Sequence, residues 1–276
     1  MVWIGIVFFL VVAACALPDD DLVETRFIAS PTNIVSPELS AIDSLMWRQP
    51  DSALACLIPY FDTCCRDVAC NVYPENHNGN SEDVARYVST NVAFNRHYAH
   101  LLLAELLYKN DYAQTNRPAL LQAVAYFDSL TFTLNDTPSP KRLIVGSSFR
   151  EGGTLSLTRN DIIVFLDARA HYINGVGYYE NDSVVEACTE YLKALELMES
   201  RFGEKELIGK RARFMTYTYN RLGDMFSDQY MMESSIVCYE KALVYCIIEP
   251  TSPQGISNIY TRLGVQYDKL GNKDKI

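Results

Sequence analysis

Three stretches of the chain set a glycine, large aromatic residues and small residues at one recurring spacing. Gly175 is followed by Tyr178, Ala187, Tyr191 and Ala194. Leu222-Gly223 is followed by Phe226, Tyr239 and Ala242, and Leu263-Gly264 by Tyr267, Leu270 and Gly271. The three glycines stand 48 and then 41 residues apart. Self-similarity on this scale restricts a chain to stacked copies of one small unit, because a single unit cannot bury its own apolar face.

This pattern resembles the tetratricopeptide repeat, a helix–turn–helix unit of about 34 residues. In that family the glycine lies where the two helices of a repeat approach most closely, and a side chain there would push them apart. The resemblance gives that role to Gly175, Gly223 and Gly264. Ala187 and Ala194 take the matching small positions, and Tyr178, Tyr191, Phe226, Tyr239 and Tyr267 are the large residues filling the gaps. Ser235 stands at the first small position of its repeat, a mild departure. The intervals exceed the usual period, so the helices or turns between repeats must be lengthened. Asp43-Ser44-Leu45-Met46, Pro50 to Leu54, Tyr98 to Leu103 and Tyr108-Lys109-Asn110 extend the resemblance to bacterial tetratricopeptide-repeat lipoproteins, over most of 36–276. The implied fold is an all-α, right-handed helical-repeat solenoid of antiparallel helix pairs.

The chain divides into five segments. Residues 1–15 read as a lipoprotein signal peptide: Trp3 to Val12 is almost wholly apolar, too short for a comfortable span of roughly 20 residues. Val12-Ala13-Ala14-Cys15 resembles a lipobox, which makes Cys15 the lipidated residue and implies a cell-envelope protein, periplasmic or surface-exposed, on the outer membrane. The alternative is an ordinary signal cleaved after Ala14 or Ala16, or an uncleaved anchor. No Lys or Arg precedes the apolar run. Residues 16–36 form a tether. Residues 37–132 hold degenerate helical hairpins. Ser36 caps a helix from Pro37 with Leu39, Ile42, Leu45 and Met46 on one face, and a second helix from Pro50 buries Leu54, Leu57, Ile58 and Phe61. A long helix runs from Ser81 to Tyr108 with a stripe including Val92, Ala99, Leu102 and Leu106. Its partner starts at Pro118, with Leu121, Val124 and Phe127 inward. Residues 133–160 break the rhythm with Pro138, Pro140, Gly146, Gly152 and Gly153. They read as a small β-hairpin (Arg142–Ser148 and Thr154–Thr158) or a flexible insertion. Residues 161–276 are the repeats, with a capping box at Ser183 and Glu186. The last repeat stops at Ile276, where the family has its first small residue, so the chain is expected to be a fragment of a longer protein.

The formal charge is −10, with 24 basic against 34 acidic residues. An acidic surface without a long basic cluster argues against nucleic-acid binding. No G-x-S-x-G, Walker or H-E-x-x-H motif is present, so no catalytic residue, cofactor or metal is expected. Cys64, Cys65, Cys70 and His77 make a poor zinc set, and a disulfide of Cys70 with Cys56 or Cys64 suits an exported protein better. His171 falls where the repeat wants a large aromatic and reads as core.

In the family, inward-pointing side chains of the first helices line a peptide-binding groove. By register these are Arg169, Tyr172, Tyr179 and Glu180; Tyr217, Asn220, Asp224 and Asp228; and Asn258, Thr261, Asp268 and Lys269. The carboxylate clamp of chaperone-binding relatives is absent, since Tyr172, Asn220 and Thr261 occupy that column. The resemblance therefore implies a protein or peptide ligand, in an envelope protein that could be the sensory part of a longer signalling protein. A glycan-binding outer-membrane lipoprotein of a nutrient-uptake system is the alternative.

Overall fold

The computed structural model describes residues 35–61, 81–111, 117–136, 158–203, 206–249 and 253–271. Cys15, the signal segment, Cys64, Cys65, Cys70, His77 and both strands of the expected β-hairpin, save Thr158, lie outside them. Among the described residues the protein is all-helical: α1 (Pro37–Met46), α2 (Pro50–Tyr60), α3 (Ser81–Lys109), α4 (Arg117–Asp136), α5 (Arg159–Tyr179), α6 (Val184–Arg201), α7 (Lys210–Asp228), α8 (Met232–Ile248) and α9 (Pro253–Lys269). Neighbouring helices pack in pairs, most closely α5 with α6 and α7 with α8. No described helix is long and apolar enough to cross a membrane.

Local sequence sets several helix ends. The Ser36 hydroxyl accepts from Leu39 N at 3.2 Å, and Pro37 fills the first turn, where a missing N–H is harmless. The Ser36 amide donates to Asn95 Oδ1 at 2.8 Å, which ties this cap to α3. A capping box occurs at Thr158 and Asp161, not at Ser183 and Glu186. Asp161 N donates to Thr158 Oγ1 at 3.2 Å and Thr158 N to Asp161 Oδ2 at 2.8 Å, so Thr158 begins a helix and ends no strand. The Ser183 side chain makes no cap bond: its backbone stands at φ −87°, ψ 70°, away from the extended conformation of a capping residue, and its amide closes the end of α5 on the Tyr178 carbonyl.

That closure recurs. Asp182, Tyr230 and Gly271 all adopt left-handed φ (58°, 58° and 73°), each seven residues after the glycine of its stretch. Asp111 (φ 55°) stands in the same relation to Ala104, a fully buried small residue of α3. The Ser183 and Met231 amides reach back five residues to Tyr178 and Phe226 at 3.0 and 2.9 Å, the Schellman arrangement that turns a chain sharply out of a helix. After α5 and α7 the shared turn brings the next helix back to pack along the one before.

Gly175 and Gly223 do what the spacing suggests. A Cβ on Gly175 would stand 2.8 Å from the Tyr191 ring, and one on Gly223 2.6 Å from the Tyr239 ring. Both rings are fully buried, so they have nowhere to go. Ser235 is explained by the same contact: its hydroxyl, wholly buried, donates to the Gly223 carbonyl at 2.8 Å. The lengthened period is also accounted for, since α5 to α8 span 21, 18, 19 and 17 residues.

Several expected inward residues face out. Ile58, Val92 and Leu121 are 55, 41 and 41% exposed. In each case a neighbour one or two residues away takes the core position: Leu57, Phe94 and Leu120. α4 also continues to Asp136, beyond the expected boundary at 132.

Gly175→Ala and Gly223→Ala should each lower stability by about 1–3 kcal/mol through overpacking, despite the roughly 1 kcal/mol that Ala gains over Gly in a helix. Gly177→Ala meets only the tip of the Arg117 side chain and should be near neutral or stabilising. Urea unfolding of the three variants checks the ordering.

Candidate functional site

The first helices of the later pairs, α5, α7 and α9, share one face. The Tyr179 hydroxyl (α5) donates to Asp228 (α7), Arg262 (α9) pairs with Asp224 (α7), and Gln266 Nε2 (α9) donates to Ser227 Oγ (α7) at 2.9 Å. Asp224 also accepts from the Tyr239 hydroxyl at 2.7 Å, so its charge is spoken for. Burial and the neighbouring carboxylate of Asp228 together hold the Tyr179 hydroxyl protonated well above its ordinary range. Glu180, Asp228, Asn258, Thr261, Asp268 and Lys269 remain exposed. Asn258 accepts from Gln254 at 3.0 Å, and the Thr261 hydroxyl bonds its own helix at the Ser257 carbonyl.

The other end of this face is covered. Arg169, expected in the groove, is 3% exposed and forms a fork on Glu105 of α3, Nε to Oε1 at 2.9 Å and an Nη to Oε2 at 2.6 Å, with Asp43 of α1 at 2.7 Å. Lys210 approaches Asp43 at 3.6 Å. Burial would raise the Asp43 pKa, but the charges of Arg169 and Lys210 outweigh it and hold the carboxyl below its usual value. Tyr172 meets Phe214 edge-on at 5.7 Å and packs against the core. Tyr217 stacks on Trp47 at 5.9 Å, and the Lys109 ammonium lies 3.9 Å over that indole. The Asn220 carbonyl oxygen is buried without a hydrogen-bond partner. Arg169 and Tyr217 therefore meet the N-terminal helices, and Tyr172 the core, rather than an open groove. The reason is tertiary: register placed them on the inner face, but α1 and α3 lie over it.

Arg221, Ser227, Arg262 and Gln266 belong to this surface and escaped the sequence reading. Arg262 and Gln266 follow Asn258 at steps of four, so the register of α9 was a usable signal. Arg221 reaches Tyr108 of α3, a contact that no local pattern announces.

A second concavity, of about 660 Å³, opens between α6, α7 and α8. Leu192, Leu195, Leu222, Phe226, Val237 and Cys238 line it, and Glu199, Tyr219 and Lys241 form its polar end. Burial pushes the Cys238 thiol up to about 11, which leaves it unreactive at neutral pH. His171 is buried as expected, though among carboxylates rather than apolar side chains. Neither the family models nor the curated proteins yield a match to this chain.

Removing one member of the Arg169 group strands buried charge. Arg169→Ala should cost about 3–5 kcal/mol. Asp43 has a depressed folded pKa, so its contribution is present above about pH 4 and fades as pH falls through the folded value. The stability gap between wild type and Asp43→Asn should therefore be largest near neutrality and shrink below pH 4, as read by urea unfolding across pH.

Proposed function

We propose that this chain is a membrane-tethered helical-repeat protein of the tetratricopeptide kind that binds a protein or peptide segment in the bacterial cell envelope. The observation that carries the reading is the set of cross-helix contacts joining α5, α7 and α9 into one polar, aromatic face. Two further features support it. Successive first helices end in the same left-handed residue, seven positions after a small one. In two pairs a tyrosine ring fills the space a glycine leaves.

The ligand surface is narrower than the register suggests. Arg169 and Tyr217 serve the junction with α1 and α3 and Tyr172 packs against the core, while Tyr179, Glu180, Asp228 and the α9 residues stay accessible. Glu180 and Asp228 give this region negative charge, which suits a segment bearing a basic side chain. The lipid on Cys15 would hold the protein at the membrane and leave this face to meet its partner.

The test is retention of partners from envelope extract, followed by affinity for the peptides recovered. Glu180→Lys is the variant of choice, because Asp224 is engaged by Arg262 and Tyr239 and Asp228 by Tyr179, and reversing either would disturb packing, whereas Glu180 is exposed. Glu180→Lys should keep the helical spectrum and weaken the peptide about tenfold or more, or about 1.4 kcal/mol. Equal retention by both proteins, or retention of polysaccharide alone, would overturn the reading. Separately, Cys15→Ala should move the protein from the membrane fraction to the soluble one; unchanged membrane association would reject the lipid anchor.

A further inference from the structure

The side chain with the least satisfied chemistry in the described protein is Asp167, in the middle of α5. It is fully buried, and neither oxygen of its carboxylate has a hydrogen-bond partner. The Thr131 hydroxyl is a neighbour but lies outside hydrogen-bond geometry. A carboxylate in that state costs several kcal/mol unless a proton or a cation reaches it.

The surroundings point to a cation. His171 follows Asp167 by one helical turn and lies on the same side of α5. Its Nδ1 stands 2.5 Å from Glu190 Oε2 on α6. That bond is made by an Nδ1–H donor, so Nε2 is the ring atom left to hold either a proton or a cation. Nε2 faces two carboxylates, Asp128 Oδ1 of α4 at 3.3 Å and Asp167 Oδ1 at 3.6 Å. Two anionic oxygens facing Nε2 call for positive charge between them, which a proton on Nε2 supplies while the site is empty and a metal ion supplies in its place. One nitrogen and one oxygen from each carboxylate all lie within 4.8 Å of one another. Glu190 behind the ring is the arrangement that fixes the tautomer of metal-bound histidines and raises their basicity. Asp128 is partly exposed, with a side chain 38% accessible, and gives the site a route to solvent. The Lys193 ammonium, 2.6 Å from Asp128 Oδ1 and itself half exposed, is the cation now nearest, and it can swing out.

We propose that His171 Nε2 and the carboxylates of Asp128 and Asp167 form a binding site for one divalent first-row transition-metal ion. Glu190 is its positioning residue and Lys193 its internal competitor. One imidazole with two carboxylates suits ions of intermediate hardness and leaves positions for water. The ligands come from α4 and α5, with support from α6. The ion would therefore pin the N-terminal helices to the later pairs, on a different set of residues from the α5–α7–α9 face.

The full chain, stripped with chelator, is titrated with Co2+ and followed by calorimetry, visible absorption and thermal unfolding. Cobalt is chosen because thiolate ligation by the cysteines announces itself in a separate charge-transfer band. The expected result is one equivalent bound without that band, and a rise in Tm. Asp128→Asn should weaken binding at least tenfold. Glu190→Gln should weaken it about 10–100-fold although it touches no metal. Lys193→Met should tighten it several-fold, a gain that a purely structural cluster would not produce. If Asp128→Asn fails to fold, the opposite signs of Glu190→Gln and Lys193→Met decide the matter. Absence of saturable binding, binding that these variants leave unchanged, or binding that carries the thiolate band would overturn the proposal.

Discussion

The architecture rests on how closely two helices can lie, and in the later pairs that distance is set by a missing side chain. At Gly175 and Gly223 the second helix brings a tyrosine ring to where a Cβ would stand. Each ring is large and buried, as are Ala187, Ala194 and Ala242 of the same second helices. Glycine loses helix propensity at these positions, and the ring contact offsets that loss by packing area. The left-handed residue seven positions on then turns the chain so that contact is possible at all. Two local features, a gap and a turn, generate each pair.

A second constraint joins the pairs to the N-terminal helices. Arg169 holds carboxylates from α1 and α3 against α5. Such a group adds little net stability over an apolar equivalent, because its desolvation is so costly. What it supplies is selectivity of docking: a misplaced α1 or α3 would leave a buried guanidinium unpaired. The Trp47–Tyr217 stack and the Arg221–Tyr108 bond then place the same helices over α7. Part of the inner face is consumed by this junction, and the rest is left exposed.

The helices and their pairing were legible because their signals are local. Ser36-Pro37 and the glycine–aromatic alternation act within one turn or one helix pair, and period alone locates them. Thr158-Arg159-Asn160-Asp161 shows the same logic missed: it is a capping pattern as clear as the one at Ser183, hidden by the β-prone reading of the residues before it. The outward turn of Ile58, Val92 and Leu121 was not legible, since an apolar run of adjacent residues does not say which one is aligned with its neighbour helix.

What the sequence determined by itself was the class of structure: helical pairs, their order, and the residues that make each pair close, because propensity, periodicity and turn chemistry depend on near neighbours. What only the tertiary structure decided was the fate of polar side chains that point inward. Arg169 is 126 residues from Asp43 and 64 from Glu105, and His171 is 43 from Asp128. No local pattern encodes those distances. A residue at an inward register position becomes ligand surface, buried ion pair or candidate metal ligand according to which distant helix covers it, and that is settled only when the helices pack.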